Sequence, residues 1–252
     1  MFSKSTVKYI QSLQHKKFRD QYNAFIAEGP KLVAELLKGR IFTCLNVFAV
    51  EQWAQQLSAD EKKGLGDKLI IIKDFELEKI SSLSQPNKVL AIFEKKPFKK
   101  NPSIKNKITL VLDDIQDPGN LGAIIRSADW FGIENIICSL HTADVYNSKV
   151  VQGTMASIQR VDIVYAELET WLKENKGIPV YAATLDGHPI QIIKKPAEAI
   201  IIIGNEANGI SQALLDLADE KISIPKSGHA ESLNASVAAA IILYAFTNSN
   251  MH

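Results

Sequence analysis

The 252-residue sequence is poor in several things. It holds only two cysteines, Cys44 and Cys138, with no CxxC pair and no even framework. A disulfide-stapled scaffold is excluded, and a reducing cytoplasm is the expected compartment. The longest apolar run, residues 237–246, is far short of the roughly 20 residues that cross a bilayer, so no membrane partner is expected. The start, Met1-Phe2-Ser3-Lys4, continues polar and basic, without the apolar core of a signal peptide. Five histidines lie scattered without ligand spacing, and no metal site is expected. No GxGxxG fingerprint follows a strand, which argues against a nicotinamide-dependent dehydrogenase.

What the chain does have is an uneven charge. Residues 1–107 hold 20 Lys and Arg against 11 Asp and Glu, and residues 108–252 hold 9 against 17. The net +1 therefore hides a front half at +9 and a back half at −8. A basic half suits a polyanion, because each neutralised phosphate releases condensed counterions; a merely solubilising lysine surface has the same composition. Residues 94–107, EKKPFKKNPSIKNK, carry six lysines and two prolines with no apolar periodicity. They read as a linker between a domain at 1–98 and another at 99–252.

Before the linker, residues 6–21 read as one helix decorated by Lys8, Lys16, Lys17 and Arg19. A short strand follows at 25–27, then a helix at 31–38 opened by Gly29-Pro30 and ended by Gly39. Strands are expected at 44–50, 68–73 and 89–94, giving a small α/β sandwich. After the linker the strands become continuous apolar runs at 108–112, 133–138, 161–165, 180–183 and 199–203, with a shorter one at 222–224. Such runs predict a parallel sheet buried on both faces, with helices between strands.

Three segments stand beside these apolar stretches. In Asp117-Pro118-Gly119-Asn120-Leu121-Gly122-Ala123-Ile124-Ile125-Arg126, a turn at 118–120 precedes a helix at 121–131. Leu121, Ile124, Ile125 and Ala128 fill its core face, while Arg126, whose charge is permanent, needs a partner or water. In Gly204-Asn205-Glu206-Ala207-Asn208-Gly209, Gly204 lets a ligand approach the backbone closely, Gly209 permits a tight turn, and Glu206 offers an acceptor. Ser232-Leu233-Asn234-Ala235-Ser236-Val237 opens a small-residue helix at 235–246, whose first N–H groups are donors for a ligand. Each segment alone is an ordinary capped turn; the three in this order are not.

In order and spacing they resemble the three motifs of the SpoU (TrmH-like) RNA 2′-O-ribose methyltransferases of the SPOUT superfamily. The run Ala24-Phe25-Ile26-Ala27-Glu28-Gly29-Pro30 resembles the opening of the substrate-binding domain found before that catalytic domain. The resemblance implies an α/β fold: a C-terminal trefoil-knot domain with a mostly parallel sheet, preceded by a small α/β ribosomal-protein-like RNA-binding domain. It also implies methyl transfer from S-adenosylmethionine to a ribose 2′-hydroxyl of RNA, ribosomal RNA being preferred, by a homodimer. Carried over by position, the active-site residues are Arg126, Asn120, Glu206, Ser232 and Asn234, with Arg126 on the target phosphate and hydroxyl. The cofactor would be held at Gly204, Ile224 and Leu233, with Thr184 after the preceding strand. The knot comes from the resemblance alone, since general rules of chain connection argue against one. Transfer RNA is the alternative substrate, and a non-catalytic RNA-binding factor the alternative function.

Overall fold

Among the described residues the apolar runs sort into two sheets, one of four strands and one of six. The computed structural model describes residues 2–97, 102–193 and 196–247. Contacts group the chain into unit 1, Met1–Pro97 with Tyr146–Gln159, and unit 2, Phe98–Val145 with Arg160–His252. Residues 98–101 of the expected linker lie outside the described residues.

Unit 1 begins with α1 (Lys4–Ser12) and α2 (Lys16–Tyr22), two helices where one was expected. Arg19, expected on the surface, is 2% exposed. Its guanidinium donates to the Leu13 and Gln14 carbonyls at 3.0 and 2.8 Å. Carbonyls at a helix end lack intrahelical partners, and the buried cation supplies them, so the break holds. Next come β1 (Ala24–Glu28), α3 (Pro30–Gly39), β2 (Cys44–Ala49), α4 (Glu51–Ala54), α5 (Ala59–Leu65), β3 (Leu69–Ile71), α6 (Asp74–Ile80) and β4 (Val89–Glu94). The sheet order is β1-β4-β2-β3; β4 runs antiparallel to β1 and β2, and β3 parallel to β2. Glu28 is buried, and its carboxylate accepts from Ser82 N at 3.0 Å, Ser82 Oγ at 2.5 Å and Ser81 Oγ. The Glu-Gly-Pro turn thus ties down the loop after α6.

Unit 2 runs β5 (Ile108–Leu112), α7 (Pro118–Trp130) and β6 (Asn135–Cys138). After α8 (Ser148–Thr154), which belongs to unit 1, it continues through β7 (Asp162–Tyr165), α9 (Leu168–Glu174), β8 (Val180–Pro189) and β9 (Ala199–Ile203). It closes with α10 (Gln212–Leu215), β10 (Glu220–Ser223) and α11 (Ala235–Thr247). The sheet order is β10-β8-β9-β5-β6-β7, and every pair is parallel. Val111, Ile137, Ile200 and Ile202 pack on Trp171 and Leu172 of α9. Their strand neighbours Leu110, Ile136 and Ile201 point to the other face and are equally buried. A sheet covered on both sides explains the unbroken apolar runs.

Chain order reverses beside β5: β6 and β7 lie to one side, β9 and β8 to the other. The switch point is therefore between β5 and β9. In open α/β sheets, ligand crevices form there, at the C-terminal strand ends. A second irregularity lies at β10, which pairs with Tyr181 and Ala182 and at its next residue with His188 and Pro189. The residues of β8 in between arch away. A methyl group on Gly187 would stand 2.5 Å from Ile222 N, so the two segments cross without room for a side chain.

The 146–159 segment completes unit 1. The Tyr146 ring centroid lies 4.9 Å from that of Phe25 and 6.3 Å from that of Phe42. Its hydroxyl donates to Lys96 O at 2.9 Å and accepts from Lys96 N at 3.1 Å. Ser148 Oγ donates to Gln14 Oε1 at 2.9 Å, and α8 packs on β1. Burial pushes the Cys44 thiol up to about 11 and the wholly buried Cys138 thiol higher, so neither is a reactive thiolate near neutrality. Among the described residues no helix is long and apolar enough to cross a membrane.

Candidate active site

The loops leaving β5 and β9 are stitched together at the switch point. Asp113 N donates to Ile203 O at 2.9 Å, and Asp113 Oδ2 accepts from Ser211 N at 2.7 Å. Asp114 takes a left-handed backbone, φ 56°. Its carbonyl accepts from Asn205 Nδ2 at 2.7 Å, and its carboxylate from Ser139 Oγ at 2.5 Å. The other end of the Asn205 carboxamide accepts from Ala207 N at 2.8 Å and Asn208 N at 3.2 Å, an Asx turn. Paired backbone bonds between Asn205 and Gly209, at 3.0 and 2.9 Å, close the loop with Glu206 inside it. At Gly204, where a ligand's close approach was expected, it is the chain's own backbone that comes near: a methyl group there would lie 2.3 Å from the Gly209 carbonyl carbon.

The first motif differs from expectation in one respect. Residues 118–120 are not a separate turn but the first turn of α7, with Pro118 at its first position. Asp117 Oδ1 takes the cap, accepting from Asn120 N at 2.8 Å. This frees the Asn120 side chain. Its Nδ2 donates to Glu206, and its Oδ1 accepts from Asn234 Nδ2 at 2.9 Å. Asn234 in turn caps α11, its Oδ1 accepting from Ser236 N at 2.9 Å and Ser236 Oγ at 2.6 Å. One carboxamide therefore joins the three motifs, which are 86 and 114 residues apart along the chain. Asn120→Ala is expected to cut turnover about tenfold, because unlinked groups drift from a productive alignment. Asn120→Asp, which faces two carboxylates on each other, should lose more. Equal kcat for wild type and both variants would show the link to be idle.

Arg126 is exposed and makes no hydrogen bond or ion pair among the described residues. Ser232 is exposed as well, and neither joins the Asn120 network. Gly204 and Ile224 directly follow the C-terminal ends of β9 and β10, Thr184 lies midway along β8, and Leu233 comes just before α11. β8 runs past the expected end at 183 to Pro189, because its arch rejoins β10. Thr184 Oγ1 is buried with no hydrogen-bond partner among the described residues. An orphaned hydroxyl costs about 1–3 kcal/mol, which a polar ligand would recover. Leu185 next to it and Leu233 are largely uncovered. Asp113, Asp114, Ser139 and Asn205 position the loops, and sequence reasoning gave them no role. The one available signal was an Asn directly after Gly204, in the place an Asx turn requires.

Residues 107–244 match the SpoU rRNA Methylase family, and residues 4–91 an MRM3-like substrate binding domain. The 23S rRNA (guanosine(2553)-2'-O)-methyltransferase RlmP of Bacillus subtilis is 32% identical over 241 residues, 94% of each chain. Among solved structures, a TrmH-family protein of Porphyromonas gingivalis aligns with a TM-score of 0.85 at 32% identity over 98% of each chain. The SpoU methyltransferase AviRb of Streptomyces viridochromogenes, solved with AdoMet, aligns with a TM-score of 0.82 at 25% identity over 97% of each chain.

Proposed function

Because this chain belongs to the SpoU rRNA methylase family, we propose that it transfers a methyl group from S-adenosylmethionine to a ribose 2′-hydroxyl of ribosomal RNA. The observation that carries this reading is the Asn120 carboxamide, bonded to Glu206 and Asn234 at the switch point of a parallel sheet. S-adenosylmethionine supplies an already activated methyl group. Backbone groups of Gly204, Ile224 and Leu233 would hold it, and the orphaned Thr184 hydroxyl gives it a polar anchor.

The remaining work is alignment and charge. A 2′-hydroxyl is a weak acid, so its oxygen gains nucleophilicity only as negative charge develops on it. The Arg126 guanidinium, with no competing partner among the described residues, pairs with the adjoining phosphate and stabilises that charge. Glu206 orients Asn120, and Asn120, Asn234 and Ser232 fix the ribose. Unit 1 brings the basic surface that grips RNA through phosphates. A second copy of the chain covers the outer face of α7 and α11, where Trp130 is 84% exposed and Tyr244 and Val237 are uncovered. The enzyme works in the cytoplasm.

The test uses S-adenosylmethionine labelled in its methyl group and ribosomal RNA from cells lacking this protein. Label should enter the RNA and survive alkaline hydrolysis inside dinucleotides, because a 2′-O-methyl group blocks cleavage of the neighbouring phosphodiester. Label recovered in mononucleotides, or absent, would refute the reading.

A further inference from the structure

We propose that α1 and α2 form a base-stacking surface for unpaired RNA nucleotides, a contact separate from the reaction centre; the inference rests on the RNA reading above. Four aromatic side chains run edge to face and face to face along these helices. The Tyr9 and Tyr22 centroids are 5.0 Å apart at 85°. Phe18 and Tyr22 stack at 6.4 Å and 17°, and His15 meets Phe18 at 6.4 Å and 65°. The core beneath is already closed by Ile10 and Leu13, both fully buried. Tyr22 is nonetheless 44% exposed. Large aromatic surface left bare after the core is filled is what calls for a partner.

The charge around the ladder selects the partner. Residues 2–22 carry Lys4, Lys8, Lys16, Lys17 and Arg19 against Asp20 alone. Arg19 points inward, and Asp20 is neutralised by Lys95 at 2.5 Å, so four lysines face outward unopposed within this hairpin. Lys17 Nζ stands 5.9 Å from the Phe18 centroid. Rings flanked by cations match the two faces of a single strand, bases for the rings and phosphates for the lysines. A duplex hides its bases from such rings, so the fit is to a loop or strand whose bases can splay out. Stacking tolerates any base, which suits a surface that holds RNA while the reaction centre chooses the ribose.

The probe is an oligoriboadenylate dodecamer containing 2-aminopurine, titrated against the full chain. Wild type should bind it and quench the fluorophore, as stacked 2-aminopurine does. Tyr22→Ala and Phe18→Ala should each weaken binding about tenfold while leaving the salt dependence unchanged. Tyr22→Phe should bind as wild type does. Tyr22→Leu, which keeps the packing on Tyr9 but not the π face, should melt normally and bind weakly. The Lys16→Ala, Lys17→Ala double variant should instead flatten the log K against log salt slope by about 1.4. Binding of Tyr22→Ala within twofold of wild type, binding without quenching, or no binding by wild type would overturn the surface. A protein that methylates RNA while Tyr22→Ala binds unchanged would sink this inference alone. One that binds with quenching yet transfers no methyl group would sink the enzymatic reading and leave the surface standing.

Discussion

Arg126→Ala should lose about a thousandfold in single-turnover methyl transfer to RNA while binding S-adenosylmethionine as wild type does. The magnitude follows from removing one charged donor aimed at developing negative charge, which costs about 10²–10³ in rate. The specificity follows from geometry. α7 buries Leu121, Ile124, Ile125 and Ala128, whereas Arg126 faces outward and supports nothing in the resting protein. An exposed substitution of this kind changes stability by about half a kcal/mol at most, so lost activity cannot be put down to unfolding. The residues proposed to hold the cofactor lie on β8, just after β9 and β10, and before α11, away from α7 in the chain, so calorimetry with the donor alone should be unaffected. Arg126→Lys restores the charge without the planar fork and should recover part of the rate. Methyl transfer at the wild-type rate in Arg126→Ala would remove Arg126 from the mechanism.

Gly204→Ala should have the largest effect on stability, more than about 3 kcal/mol, and should abolish cofactor binding. The added methyl would sit 2.3 Å from the Gly209 carbonyl carbon and 2.4 Å from both Gly209 O and Ile210 N. These are backbone atoms, with no side chain to swing aside. To relieve the clash, the loop must open the Asn205–Gly209 pair, and Glu206 moves with it. Gly209→Ala is the control. Its φ of 69° strains an L-residue, yet nothing lies within 4 Å, so it should cost only about 1 kcal/mol. Denaturant midpoints for the two variants decide the matter. Similar midpoints would mean that the loop relaxes freely and the close approach carries no weight.

The reach of the sequence can be judged residue by residue. The parallel sheet was legible because strands buried on both faces need apolar residues at every position, as Ala199-Ile200-Ile201-Ile202-Ile203 shows. The three loops were legible because turn residues and polar side chains follow those strands at fixed places. Strand order was not, because a continuous apolar run carries no mark of its neighbour. Arg19 was misread because charge alone suggests exposure; only the break between α1 and α2 creates the bare carbonyls that draw it inside. Asn120 was read as part of a turn, because Asp117 three residues earlier competes for the same cap and wins it. Asn205 was passed over because its work is local and its effect remote: it shapes the loop that presents Glu206 to a helix 86 residues back.

The membership of residues 146–159 in unit 1 has a consequence for how the protein is made. A nascent chain folds as it emerges, and leading domains usually finish first. Here the leading unit cannot finish when its own 97 residues have emerged, because Phe25 and Phe42 still await Tyr146, and β1 awaits α8. By then β5, α7 and β6 of the trailing unit have been synthesised too. The two halves mature interleaved, and a gene cut at the apparent border would encode a leading piece with its aromatic side uncapped.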